Sequence, residues 1–300
     1  MTETGKGQPP AEQSGQAPLS TPTDPPAKIP GSRFVLRFHR NDRLIHGVLM
    51  ASFLTLALTG IPLLFPQAPW ATTLANILGG YRVTGVLHRM AAVTLMLVFS
   101  THLARLSHRL FVRKDYGMLW GPKSLVPQPI DLVQLVQHFR WFVGLGPQPR
   151  FDRYSYWEKF DYWAVFWGMA IIGTSGLMLW FPAFFARFLP GWVFNIALVV
   201  HGEEALMAMV FIFTVHFFNG HLRPDKFPMD LVIFTGRVSV DELRHERPAE
   251  YERLLAEKSL EKVLAEPPSR ALIAMGRIIG TTAVTIGLVI AGLAIYALLR

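Results

Sequence analysis

Five long apolar runs, nearly free of charge, constrain this chain more than any other feature of its 300 residues. They cover Leu44–Phe65, Val83–Leu106, Tyr162–Ala186, Trp192–Phe218 and Ile278–Leu299. A helix rising about 1.5 Å per residue needs about 20 such residues to cross a hydrocarbon core, and each run is long enough. Charged residues make up 17% of the chain, where a soluble domain carries about a quarter. The expected fold is an all-α membrane protein. An antiparallel four-helix bundle spans residues 33–222, and a fifth, C-terminal transmembrane helix occupies 278–300.

The polar segments set the topology. Residues 1–32 are rich in Pro, Gly, Ser, Thr and Gln and read as a disordered tail. They lack the apolar core of a secretory signal, so the first membrane helix is expected to act as its own uncleaved signal. The loop 66–81 has no Lys or Arg, and the short link between the third and fourth runs has only Arg187. The loop 107–161 carries Arg109, Arg113, Lys114, Lys123, Arg140, Arg150, Arg153 and Lys159, and the segment 223–277 is equally basic. Positive loops stay in the cytoplasm, so the N-terminus is predicted inside a bacterial inner membrane and the C-terminus in the periplasm. The segment 223–277 should hold a charged helical stretch over Val238–Leu264, interrupted by Pro248. A net charge of +8 distributed this way is a topology signal and not a nucleic-acid footprint. The absence of cysteine excludes disulfides, iron–sulfur clusters and thioether-bound haem c.

Five of the ten histidines fall inside these runs. A single histidine in a membrane helix is most often a hydrogen-bonding or proton-relay group. Paired histidines at matching depths are different. His88 and His201 lie near the outer ends of the second and fourth runs, while His46, His102 and His216 lie near inner ends. His88 and His102 are 14 residues apart, which puts them about 21 Å apart in height and about 40° apart in phase. His201 and His216, 15 apart, differ by about 22 Å and about 60°. Two helices that each present two imidazoles suggest two bis-histidine haem b sites, a ligation without an open iron position and suited to electron transfer. The outer pair is His88 with His201. The inner pair is His216 with either His46 or His102, and helical phase favours His102. A third haem on the leftover histidine, with His221, is a further arrangement that the count permits. His39, His108, His138 and His245 are expected on solvated surface.

At these residues the chain resembles the cytochrome b subunits of membrane-bound formate dehydrogenases and of related hydrogenase and thiosulfate-reductase anchors. The resemblance rests on Arg43-Leu44-Ile45-His46, followed by Leu58-Thr59-Gly60, on Leu87-His88, and on the His201/His216 pair. Gly47 stands where that family has Trp, the family spacing on the fourth helix is 14, and the family has four helices and not five. The resemblance implies two haems and makes His46, not His102, the inner ligand. It also implies a quinone site on the cytoplasmic side. A second resemblance is to bacterial cytochromes b found beside multi-haem cytochromes c. It is carried by the stretch from Tyr154 to Trp163 and by His221-Leu222-Arg223-Pro224-Asp225-Lys226-Phe227-Pro228-Met229-Asp230.

Supporting residues follow from the same reading. Arg89, beside His88, is placed to pair with an outer-haem propionate; Arg43 and Arg105 could serve the inner level or simply snorkel. Gly60, Gly85, Gly173 and Gly176 allow either a flat macrocycle or close helix packing. Glu203 and Glu204 either carry quinone protons or orient a ligand imidazole; His221, Arg223 and Asp225 form a competing inner cluster. The expected role is a membrane electron-transfer subunit between quinone and a partner redox protein. That partner is a periplasmic multi-haem cytochrome c or a catalytic oxidoreductase subunit. The alternatives are a stand-alone transmembrane b-type reductase of a small acceptor and a haem-free proton-coupled transporter. The last would favour paired broken helices, and none is visible.

Overall fold

The computed structural model describes residues 33–299, together with Thr2. The tail expected over 1–32 therefore lies outside the described residues. Among the described residues five helices are long and apolar enough to cross a membrane: Arg40–Leu64, Tyr81–Val112, Tyr156–Trp180, Trp192–Leu222 and Arg270–Leu298. They are called the first to fifth spans below.

The third span starts six residues before the apolar run does. Ser155 opens it with a capping box, accepting from the Glu158 amide while the Glu158 carboxylate accepts from the Ser155 amide at 2.7 Å. This Ser-x-x-Glu signature outweighs the charges of Lys159 and Asp161 and places both inside the helix. Ser269 caps the fifth span with its hydroxyl alone, accepting from the Leu272 amide. Among the described residues three spans contain widened π turns: His108–Val112 in the second, Met169–Gly173 in the third, and Ile212–His216 and Phe218–Leu222 in the fourth.

The fifth span is built into the bundle. Its buried residues Gly276, Gly280, Ala283, Gly287, Ile290 and Ala294 recur at alternating spacings of four and three, a heptad seam of small side chains. Phe213 and Phe217 of the fourth span fill the space over Gly287, where a Cβ would come within 2.6 Å of either ring. With Ala57, Ile61, Met209 and Ile290 they form the membrane core.

On the side where both long loops emerge, a small second core forms that the sequence reading did not foresee. A three-stranded antiparallel sheet, β1 (Phe34–Leu36), β2 (Arg237–Ser239) and β3 (Leu264–Ala265), is ordered β2-β1-β3. Val238 is thus a strand residue, paired with Val35, and not part of a helix. Two helices follow, Val240–Glu246 and Pro248–Ala256, with Pro248 at the start of the second, where its missing N–H costs nothing. Val35, Val238, Leu243, Leu254 and Leu260 pack beneath them.

Buried ion pairs tie this cap to the spans. Glu250 takes Arg37 at 2.7 Å and Arg153 at 3.2 Å. Arg247 reaches the capping Glu158 at 2.8 Å. Lys226 sits among Asp230 (3.0 Å), Glu246 (2.8 Å) and Glu242. Burial alone would lower the Lys226 pKa, but the three carboxylates overcome it and hold the ammonium well above the ordinary lysine range.

Candidate functional site

His88 on the second span and His201 on the fourth face each other, with ring centres 6.3 Å apart and planes at 74°. Each imidazole is tethered through Nδ1 by a different span. His201 Nδ1 lies 3.0 Å from the Ile172 carbonyl of the third span and 3.3 Å from Ser175 Oγ. A carbonyl oxygen only accepts, so Nδ1 carries the hydrogen and Nε2 is left with its lone pair. Ile172 lies in the π turn, where the widened backbone redirects carbonyls away from the helical ladder.

His88 Nδ1 lies 3.0 Å from Thr59 Oγ1 on the first span. The Thr59 hydroxyl donates to the Thr55 carbonyl at 2.6 Å, so toward the imidazole it accepts. Again Nε2 is the free nitrogen.

Glycines make room for both rings. A Cβ at Gly176 would lie 2.9 Å from His201 Cε1, and one at Gly60 would lie 3.5 Å from His88 Cε1. Of the four glycines singled out in the sequence, these two border imidazoles. Gly85 and Gly173 border Arg89 and Met169. The Arg89 guanidinium lies over the Trp180 ring at 5.9 Å from its centre. It also lines a cavity of about 390 Å³ with Val86, Val93 and Thr94. Among the described residues no carboxylate pairs with it.

At the inner level the structure brings His46, His216 and His221 within electrostatic reach of one another. His216 Nδ1 is held by Asp161 Oδ2 at 2.8 Å, from the third span. In a left-handed bundle, residues two heptads apart return to the same seam. The extra residue in the 15-residue separation of His201 and His216 is taken up by the widened turn Ile212–His216.

His102 is placed elsewhere. Its Nε2 lies 2.9 Å from the Tyr162 hydroxyl, and its ring packs edge-on against Tyr162 and Phe166. His221 stacks on Phe234, with its Nδ1 buried and without a hydrogen-bond partner.

Other expected residues take structural roles. Arg43 donates to the Phe234 carbonyl, and Arg105 pairs with Asp42 at 3.4 Å near the surface. Glu204 accepts from Trp167 Nε1 at 3.3 Å and Glu203 is exposed on its helix, and among the described residues neither bonds an imidazole. The partners of His201 and His88 are the Ile172 carbonyl and Thr59 Oγ1. His138, expected on solvated surface, stacks on Phe142 with ring centres 4.5 Å apart and bonds to Tyr156.

Sequence reasoning missed Thr59, Ser175, Asp161 and Tyr162. Asp161 and Tyr162 were recoverable: the Ser155/Glu158 capping signature puts Asp161 inside a membrane helix, where a carboxylate requires a partner. A backbone carbonyl such as that of Ile172 leaves no trace in sequence.

The fold defines a multi-pass, all-α membrane protein in which His88 and His201 face each other between two spans. No protein-family model matches the chain. It is similar to the formate dehydrogenase cytochrome b556(fdo) subunit of Escherichia coli strain K12, 23% identical over 185 residues, 61% of this chain and 77% of that protein. It is also similar to the cytochrome b556(Fdn) subunit of the nitrate-inducible formate dehydrogenase of the same strain. That match is 21% identical over 180 residues, 59% of this chain and 73% of the relative. The chain is thus similar to membrane cytochrome b subunits of formate dehydrogenases, in line with the resemblance carried by its histidine motifs.

Proposed function

We propose that the chain is a two-haem b electron-transfer subunit, with His88 and His201 holding the outer group and His46 and His216 the inner one. The observation that carries this is the separation of the His88 and His201 rings. A metal bound at about 2 Å by two imidazole nitrogens, each roughly 1.1 Å from its ring centre, would put the ring centres about 6.2 Å apart. The observed distance is 6.3 Å, with each Nδ1 tethered and each Nε2 free. His46 is preferred to His102 at the inner level because it is the histidine gathered with His216, whereas Tyr162 occupies the Nε2 of His102.

A haem held by two imidazoles supplies one-electron transfer and has no position open for substrate. The residues of this chain do the rest. Thr59, Ile172 and Asp161 fix the orientation of the ligand rings. The apolar side chains around them exclude water. Arg89, without a carboxylate partner among the described residues, is the cation available to an outer propionate.

The electrons pass between the quinone pool and a partner redox protein. The names of the relatives favour a catalytic oxidoreductase subunit as partner, with a periplasmic multi-haem cytochrome c as the other candidate. The charge of the loops supports a bacterial inner-membrane orientation with the N-terminus cytoplasmic and the C-terminus periplasmic. A pyridine haemochrome assay and a reduced-minus-oxidised spectrum after quinol addition test the reading. Two haems per chain, at least one reducible by quinol, are expected, and His88→Ala or His201→Ala should each remove one. A haem content unchanged by both substitutions overturns the assignment.

A further inference from the structure

Between the second and third spans the chain forms a helix, Pro129–Phe142, started by a capping box from Gln128 and Asp131. It is pinned firmly to the third span. Lys159 Nζ reaches both Asp131 oxygens at 2.9 Å in a buried pair. Trp163 donates to the Leu125 carbonyl at 3.0 Å, and His138 bonds to Tyr156 at 3.0 Å.

From Asp131 to His138 the helix advances about 10 Å, yet its contacts on the third span move only from residue 159 to 156, about 4.5 Å of rise. The helix therefore lies across the mouth of that span, not alongside it. Trp141 and Trp157 both pack on His138, an aromatic cluster of the kind found where a bilayer meets water.

At about 100° per residue its side chains sort into three arcs. Asp131, Gln134, Leu135 and His138 face the third span and are at least partly buried. A second arc carries Gln137 and Arg140 beside Ile130 and Val133. The third holds Leu132, Val136, Phe139 and Val143, which are 68%, 59%, 64% and 68% exposed. This stripe carries no polar side chain, and Arg140, exposed on the neighbouring arc, flanks it.

We propose that the helix Pro129–Phe142 lies in the membrane interface, with Leu132, Val136, Phe139 and Val143 in the acyl layer and Arg140 among anionic headgroups. It fixes the height of the third span, and with it Asp161, against the bilayer.

The chain has no cysteine, so single-cysteine variants can be spin-labelled in the full-length protein. Val136→Cys, Val143→Cys and Gln137→Cys are compared in nanodiscs of phosphatidylglycerol and phosphatidylcholine, with oxygen and a water-soluble nickel chelate as colliders. Labels at 136 and 143 should respond several-fold more to oxygen than to nickel, and the label at 137 the reverse. Equal nickel access at all three positions overturns the proposal. So does a stripe reached by neither collider, since a protein partner or second copy would then cover it.

Discussion

Replacing Gly176 with alanine tests the outer site at its tightest point. The new methyl carbon would start 2.9 Å from His201 Cε1 and 3.3 Å from its Nδ1. Carbon atoms rest at about 3.5–4.0 Å, so the imidazole must retreat by about 0.6–1.1 Å. That movement breaks the Nδ1 bond to the Ile172 carbonyl, now 3.0 Å, or opens the 6.3 Å gap to His88. Lost orientation of a metal-bound histidine costs about 10–100-fold in affinity. In an exposed helix Gly→Ala is otherwise stabilising by about 0.5–1 kcal/mol, so general unfolding is not the expected outcome. Gly60→Ala is the matched control: its Cβ would lie at an ordinary 3.5 Å from His88. The assay is haem stoichiometry by pyridine haemochrome, with the rate of haem loss to apomyoglobin, on purified protein of unchanged helical content. Gly176→Ala should retain one haem and shed the other faster, while Gly60→Ala retains both. Wild-type retention and spectrum in Gly176→Ala would refute the packing argument.

Further outcomes follow from the same coordinates. His46→Ala should lose the inner haem, whereas His102→Ala, which removes only a bond to Tyr162, should keep both; the reverse pattern in the haemochrome assay would exchange their roles. Asp161→Asn removes the charged acceptor from His216 and should weaken inner-haem retention by about 10–100-fold. It should also raise that haem's midpoint potential in a redox titration, and an unchanged potential would argue against the tether. Lys226→Met leaves Asp230, Glu242 and Glu246 facing one another without their cation and should destabilise the loop-side cap by about 3–5 kcal/mol. Because the folded pKa of Lys226 is raised, its stabilisation is complete below about pH 10.4, the value in unfolded chains, and fades as pH climbs toward the higher folded value. Alkaline melts followed by circular dichroism should show that loss in the wild type and not in Lys226→Met.

The sequence by itself determined the solvent and the depth of the chemistry. Five apolar runs are visible because a bilayer rejects charge along about 20 consecutive residues, a requirement that acts locally and leaves a local pattern. The two levels of histidine are equally local, since height along a helix follows residue number.

Azimuth is another matter. Helical phase favoured His102 for the inner pair, but phase computed for ideal helices takes no account of the widened turn before His216 or of how neighbouring spans are rotated. Packing set those rotations. It turned His102 onto Tyr162 and tied His216 to Asp161 of the third span.

The tethers were likewise decided by tertiary structure, because their acceptors come from other spans. One is the Ile172 carbonyl, present in every residue of every protein and made distinctive only by a π turn. The sheet on the loop side joins residues about 200 positions apart in strands of two or three residues. No window that short carries a strand signal; pairing between distant segments creates it.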